Sequence, residues 1–286
     1  TPSQKGKVAV FFPAEKETSG LRFHLHAPFI PELSRASIKN SPENNPLLEQ
    51  LAKLSSNSLH AIKDLGLLTG EFLAVLPNND DQLPERYRII RKSILDEMRS
   101  EPLVPTFAGM HAPATRTVQA RGAIKSLLAD ADLAFVSGRK DSPTWAIGAS
   151  QKNSLQDKFL GSLHISSWDV DSLKEFLEMR ACESTISWDG QCVDPIVLKW
   201  LSTKSSEWHQ ALYAVLGKYC EDEDDLGSLG DAQIVRMANG GYCVPERAYF
   251  QTGPLNPKDP LPRIDESVLT VGTKKSQQSE ARKFLE

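Results

Sequence analysis

Residues 7–38 read KVAVFFPAEKETSGLRFHLHAPFIPELSRASI, and this stretch decides which surface the rest of the first half can pack on. It opens with an unbroken apolar run at residues 8–12, ended by a proline, which is typical of a buried strand. Residues 15–20 are polar, and apolar and polar residues then alternate over residues 21–27, as in a half-exposed strand. The stretch therefore predicts a hairpin of two strands whose connection ends at Gly20.

A single cation follows this predicted hairpin. Pro28 and Pro31 end the strand pairing, and residues 33–38 read LSRASI. Arg35 is therefore predicted to lie in a loop just past the edge of the sheet. A guanidinium there could bind phosphate oxygens through two parallel hydrogen bonds, or it could form a surface ion pair or contact the end of a helix. We take Arg35 as the main candidate for chemistry.

Two amphipathic helices are predicted next. The first begins with Asn45 as its N-cap and Pro46 at the first helical position, and leucine and isoleucine recur at helical spacing until Gly66 ends it. Its apolar face is expected to pack on the hairpin, which gives a helix layer on a sheet. The second helix begins at Pro84. Its polar side carries cations that could contact phosphate or an acidic partner, or could simply be solvated: Arg86, Arg88, Arg91 and Lys92.

Shorter apolar runs predict further strands in the first half, at residues 72–76, 103–106 and 133–136. Residues 137–153 are rich in glycine, serine, proline and charged residues. Such a composition is typical of a boundary between domains. We therefore predict a first domain at residues 1–140 and a second at residues 155–286.

The second half is predicted to be mostly helical. Apolar residues recur at helical spacing in residues 169–179, 195–201, 206–219 and 276–286, and Asn239-Gly240 between two apolar runs predicts a β-hairpin. A helix followed by a strand and a turn occurs in both halves, which predicts a short internal repeat. The predicted fold class is α/β (α+β), with a β-α-β layer domain followed by a smaller, mostly helical domain with a β-hairpin.

The order of FFPAE, LRFHLHAPF and LSRASI, followed by a long amphipathic helix, resembles the middle (transducer) domain of the ninety-kilodalton heat-shock chaperone. The motif is also similar to bacterial sacsin-like relatives of that family, and the resemblance covers roughly the first half of the chain. These proteins are GHKL-type ATPases, in which an amino-terminal domain binds ATP and a following domain completes the site. The resemblance implies that the first domain here is shaped like ribosomal protein S5 and that the short repeat is sacsin-repeat-like.

The resemblance also implies roles for individual residues. Arg35 matches the arginine of a Ser-Arg pair that reaches the γ-phosphate of ATP, and Ser34 is the serine of that pair, at the nucleotide. Lys16 and Lys39 are weaker candidates, because some relatives in the superfamily use a lysine for the same task. A cation inserted beside the γ-phosphate neutralises the charge that spreads over its oxygens.

No complete active site is present in the sequence. It contains no phosphate loop, no G-x-G-x-x-G, no nucleophile elbow and no metal-binding H-E-x-x-H. The motifs of a GHKL nucleotide pocket are also missing, so ATP and Mg are expected to be bound mainly by the protein's own upstream ATP-binding domain. The chain begins at Thr1 and is expected to be a fragment or a processed chain that does not hydrolyse ATP alone.

The function implied is to complete the ATP site with Arg35 and to relay the ATP state to a distal region that binds a client or partner. Two alternatives stay open. The chain could be a non-catalytic module for protein interaction or homodimer formation. It could also belong to a DNA-acting defence or repair ATPase, because other GHKL relatives act on DNA.

Bulk properties limit these functions. The net charge of −4 and the isoelectric point near 5.9 argue against a general nucleic-acid binder. No apolar run approaches the roughly 18–20 residues of a membrane span, so a cytoplasmic protein without membrane contact is predicted. The cysteines lack the spacing of a zinc site and are expected to be reduced: Cys182, Cys192, Cys220 and Cys243.

Two other groups of side chains leave alternatives open. His24 and His26 would point to one side of a strand, a spacing that can hold a metal, but no third ligand lies near them, and a solvated or hydrogen-bonded pair is the other interpretation. We predict no metal site. The tryptophans of the second half could form a binding surface or belong to the core: Trp168, Trp188, Trp200 and Trp208.

Overall fold

The computed structural model describes residues 5–148, 154–181, 194–219, 229–250, 261–272 and 274–286. They form a mixed α and β structure. Contacts divide the chain into two compact units, Thr1–Gly122 with Asp130–Ser167, and Ala123–Ala129 with Trp168–Glu286. The predicted domain limits, 1–140 and 155–286, stay predictions, because a division by contacts measures compactness and not independent folding.

The elements of the first unit follow one another as short strands and longer helices. They are β1 (Lys7–Ala9), β2 (Pro13–Thr18), β3 (Leu25–His26), α1 (Asn45–Asp64), α2 (Arg88–Ser100), β4 (Val104–Pro105), β5 (His111–Ala112), β6 (Thr117–Gln119), α4 (Asp130–Ser137), β7 (Thr144–Trp145), α5 (Leu155–Ser162) and β8 (Ser166–Ser167). Helix α3 (Gly122–Leu127) lies almost entirely in the second unit.

The second unit continues with helices and one hairpin. Its elements are α6 (Val170–Ala181), α7 (Pro195–Ser202), α8 (Ser206–Tyr219), β9 (Val235–Arg236), β10 (Tyr242–Cys243), α9 (Ser267–Thr270) and α10 (Lys275–Leu285). None of the described helices combines the length and the apolar content that crossing a bilayer requires.

The first sheet has the strand order β2-β1-β3. The predicted hairpin between residues 8–12 and 21–27 is wrong, because β1 pairs antiparallel with β2 and only two residues of the later stretch, β3, pair with β1, in parallel. The stretch expected to be a polar connection is thus an edge strand. It can form one because its outer side chains stay in water while Ala14 is buried.

Helices α1 and α2 are confirmed and share one hydrophobic core with β1. Helix α1 buries Leu48, Leu51 and Leu59, and the predicted stop is confirmed, because Gly66 follows Leu65 with a positive φ of 71°. The predicted cap is wrong by one residue. Asn44 occupies that position, and its side chain makes no capping bond.

Two predicted strands are helical. Residues 72–76 form a 3₁₀ helix at Phe72–Val75, and residues 133–136 lie within α4. Leu73 and Leu133 are fully buried in these helices. Burial was therefore predicted correctly and conformation was not, because a short apolar run satisfies a buried strand and a buried helical turn equally well.

The strand-turn pattern on which the predicted repeat rests is present in both units. Hairpin β4-β5 turns at Gly109, with a φ of 78°, and hairpin β9-β10 turns at Gly240, with a φ of 83°. Each hairpin is followed by a 3₁₀ turn, at Ala114–Arg116 and Pro245–Arg247.

A returning segment closes each repeat through equivalent hydrogen bonds. In the first unit, Phe107 N donates to Trp145 O and Ile147 N donates to Pro105 O, each at 2.9 Å or less. In the second unit, the same positions are taken by Ala238 N with Arg263 O and by Asp265 N with Arg236 O. The two hairpins therefore share a pattern of backbone hydrogen bonds as well as the order of their elements.

The second unit packs around α8. Tyr213 stacks on Phe284 of α10 at 5.6 Å between ring centroids, and the helices approach closely at Gly217, where a Cβ would lie 2.3 Å from Glu280 O. Asp194 caps α7, because its carboxylate accepts a hydrogen bond from Ile196 N. The acidic run at residues 221–225 lies outside the described residues.

Candidate functional site

Arg35 lies at the tip of a closed loop, residues 30–39, which we call the Arg35 loop. Pro31 and Ile38 form an antiparallel bridge at its stem. Within the loop, Arg35 N donates to Glu32 O at 2.8 Å, and Glu32 N donates to Ser37 O at 2.9 Å. The prolines thus end the strand and start a compact loop with its own hydrogen bonds.

The backbone of Arg35 is strained. Its φ is 58°, in the left-handed region that side chains rarely adopt, and only Ser142 and His164 share this feature among the described non-glycine residues. Such a conformation costs about 1–3 kcal/mol and persists where surrounding structure enforces it. Strained residues of this kind cluster at functional sites, so the geometry favours a role for this side chain.

The guanidinium of Arg35 is exposed and rests on an aromatic ring. Its Cζ lies 5.7 Å from the centroid of Phe12, which follows the exposed Phe11 in the turn between β1 and β2. No carboxylate of the described residues lies close enough to Arg35 to form an ion pair. Its donors therefore face solvent at the tip of the loop.

The other predicted site residues lie on the same loop or on the strand beside it. Lys16 of β2 donates its backbone N–H to Ala36 O at 2.8 Å, and Lys39 donates its own to Ile30 O at 2.9 Å. Ser34 Oγ accepts a hydrogen bond from Ala36 N at 3.3 Å. The side chains of Lys16, Lys39 and Ser34 are exposed.

Sequence reasoning missed Glu17, which binds the loop from β2. Its Oε2 accepts a hydrogen bond from Ile38 N at 3.2 Å, and its Oε1 accepts one from the Tyr87 hydroxyl at 2.8 Å. Arg86 Nη1 lies 3.8 Å from the same Oε1 and donates to Ile38 O at 3.2 Å. Burial, and then the hydrogen bond to Glu17, raises the pKa of Tyr87 far above its usual range, so the phenol stays a donor.

Asn44 was also missed, because an asparagine before a helix is normally interpreted as a cap. Its side chain is buried and binds both strands of the loop stem. Oδ1 accepts from Ile30 N at 2.9 Å, while Nδ2 donates to Ile30 O at 3.2 Å and to Lys39 O at 2.9 Å. No spacing in the sequence marks these bonds.

The basic face of α2 is occupied by local partners. Arg91 donates to Asn78 O, Arg88 pairs with Glu85 at 2.5 Å and Arg99 pairs with Asp96 at 3.3 Å. These residues line an open groove of about 400 Å³. Three arginines of α2 therefore have partners within the first unit.

His24 lies just before β3, and His26 lies at its end. His24 Nδ1 accepts a hydrogen bond from Lys7 N at 2.9 Å. Across the part of the chain that the structure describes, no three His, Cys, Asp or Glu side chains come together as metal ligands.

The second unit holds a buried histidine that the sequence did not single out. His209 Nδ1 donates to Ser205 O at 2.8 Å, so Nε2 accepts from the Tyr242 hydroxyl of β10 at 3.0 Å. Burial lowers the pKa of His209 to about 4. The neutral ring therefore links α8 to the hairpin.

The remaining predicted groups are tryptophans and cysteines of the second half. Trp200 and Trp208 are half-buried and meet edge to face at 5.3 Å, and Trp168 is half-buried, so these rings pack at the margin of the core. Burial raises the pKa of the Cys243 thiol to about 11. Trp188, Cys182, Cys192 and Cys220 lie outside the described residues.

Comparison of the chain with models of known protein families, with curated proteins and with solved structures finds no match in any of the three.

Proposed function

We propose that this chain is the transducer part of a sacsin-like GHKL ATPase and that it completes an ATP site with Arg35. The observation that supports this most directly is the exposed guanidinium at the tip of a strained, well-anchored loop. A side chain held in a costly backbone conformation and left facing solvent is suited to act on something outside the chain.

The chemistry requires little else from this chain. ATP and Mg are held by an upstream domain, while Arg35 enters beside the γ-phosphate and binds its oxygens bidentately. The first unit serves as an S5-like β-α-β layer beneath the loop, and the second relays the ATP state to a client or partner in a bacterial cytoplasm. Lys16 and Lys39 add positive charge near the same phosphates.

Replacement of one side chain tests this proposal. In the protein that joins this chain to its ATP-holding domain, Arg35→Ala is expected to lower ATP turnover by about 10³–10⁵, the usual contribution of an inserted arginine. ATP affinity should stay unchanged, because another domain supplies the pocket. The measurement is steady-state hydrolysis together with nucleotide titration.

The matched control is Arg88→Ala, which removes an exposed arginine that pairs with Glu85 in the same unit. It should leave turnover unchanged. Wild-type turnover in Arg35→Ala would reject the proposed function.

A second function, a non-catalytic interaction or dimerisation module, is favoured by one observation. Two large apolar side chains are almost fully exposed near Arg35: Leu33 of the same loop and Phe11, the neighbour in sequence of the Phe12 ring that Arg35 contacts. Light scattering tests it, because a chain that stays monomeric at high concentration would not be a dimerisation module. The acidic net charge gives a DNA-acting role no comparable support.

A further inference from the structure

The stem of the Arg35 loop is a single short antiparallel bridge. Lys39 N donates to Ile30 O and Glu32 N donates to Ser37 O, so Pro31 and Ile38 between them form a non-hydrogen-bonded pair whose polar backbone groups point away from each other. Asn44 adds bonds at the open end of the stem, since its amide binds Ile30 and Lys39 on the two strands. A buried amide used in this way acts as an added rung between the strands.

The other side of the stem is bound by charged side chains. Glu17 accepts from Ile38 N and Arg86 donates to Ile38 O, so both backbone polar groups of Ile38 are held from outside the loop. The Glu17 side chain is only 9% exposed and is itself fixed by the Tyr87 hydroxyl. Bonds from β2, from the turn before α1 and from the turn before α2 therefore converge on one short stem.

We infer that Asn44 and Glu17 are positioning residues for Arg35. They hold the stem so that the strained tip keeps one conformation and presents the guanidinium in one direction. The inference rests on the proposed function, because only a reaction at the tip makes that direction matter.

Loss of either clamp should act on the chemical step and not on nucleotide affinity. A displacement of about 1 Å in a catalytic group costs on the order of 10²-fold in rate. Asn44→Ala and Glu17→Ala are therefore expected to lower kcat by about 10- to 100-fold with KM for ATP unchanged. Glu17→Gln keeps an oxygen acceptor for Ile38 N and should recover most of the lost rate.

The experiment has two measurements. In the protein that joins this chain to its ATP-holding domain, kcat and KM are measured for these variants and for the controls Asn45→Ala and Glu15→Ala, which change exposed neighbours of the same types. In this chain alone, the rate of tryptic cleavage after Arg35 reports whether the loop leaves its held conformation. Asn44→Ala and Glu17→Ala should speed cleavage about tenfold, and the controls should not.

The outcomes separate the two claims. If Arg35→Ala abolishes turnover while Asn44→Ala and Glu17→Ala keep wild-type kcat and cleavage rates, the inference is wrong and the proposed function stands. If Arg35→Ala turns over normally, the proposed function fails and the inference with it. Should Asn44→Ala not fold, Asn44→Asp decides, because it keeps the shape but sets a carboxylate oxygen against the carbonyls of Ile30 and Lys39.

Discussion

The Arg35 loop and the β9-β10 hairpin both turn through a residue with a positive φ, but the residue differs. Both connections need a left-handed residue near the tip, and the hairpin uses Gly240 while the loop uses Arg35. Glycine adopts this conformation without steric cost, whereas the Cβ of arginine makes it unfavourable by about 1–2 kcal/mol. The costly choice in one region indicates that the side chain at position 35 is needed for something other than the turn.

Both regions are also held by buried polar side chains, and these differ in chemistry. The Arg35 loop is held by an amide and a carboxylate, Asn44 and Glu17, whereas the hairpin is linked to α8 by an imidazole, His209, through Tyr242. Burial lowers the pKa of this imidazole to about 4, so it takes up its proton only in acid. The comparison therefore predicts that acid weakens the hairpin region through a group that the loop region lacks.

The largest expected effect is this acid sensitivity. The pKa of His209 is lowered from 6.5 to about 4, so the unfolded chain binds its proton more tightly than the folded one. The stability that this neutral histidine provides is fully present above pH 6.5 and is lost as the pH falls toward 4. Between pH 7 and pH 4.5 the loss of unfolding free energy corresponds to about 2 kcal/mol, measurable by urea unfolding at these two pH values.

The free energy of unfolding of His209→Gln should fall less between those two pH values, because the titrating ring is gone. His26→Gln changes an exposed histidine, and its free energy of unfolding should fall as much as that of the wild type. An equal pH dependence in the wild type and in His209→Gln would show that the buried ring does not govern it.

A smaller effect on the free energy of unfolding is expected when the left-handed residue at each tip, Arg35 or Gly240, is replaced. Arg35→Gly removes the strain but adds freedom to the unfolded chain, so it should be about 0.5 kcal/mol more stable than the strained Arg35→Ala. Gly240→Ala places a Cβ in open space at a positive φ and should lose about 1 kcal/mol. Urea midpoints of the three variants give both values.

If Arg35→Gly proved less stable than Arg35→Ala, the backbone at position 35 would not be strained, and the contrast with Gly240 would disappear. Both variants at position 35 should be equally inactive in ATP turnover, since each lacks the guanidinium. Stability and activity would then change separately at this one residue.

Local patterns in the sequence were sufficient for several elements. Helix α8 is found at residues 206–219, as its apolar spacing predicts, and Asn239-Gly240 marks the hairpin turn. Turn chemistry also predicted where the Arg35 loop lies. These features depend on residues within a few positions of each other, which is the range over which propensity and periodicity act.

Partner choice was not predictable in the same way. The sequence of β2 is typical of a polar connection, and that of Phe72–Val75 is typical of a strand. Neither local sequence indicates which distant segment it will contact in the fold. The site has the same limit. Its arginine was visible in the sequence, but the residues that hold it in place were not.

The sequence by itself determined the main helices, the turns and the exposed cation at position 35, since each follows from the conformational preferences of adjacent residues. Only the tertiary structure decided that Asn44 would bind Ile30, 14 positions away, and that Glu17 would bind Tyr87, 70 positions away. The physical reason is that a buried polar group must find a partner wherever the packed chain places one, and that place is set by the whole fold.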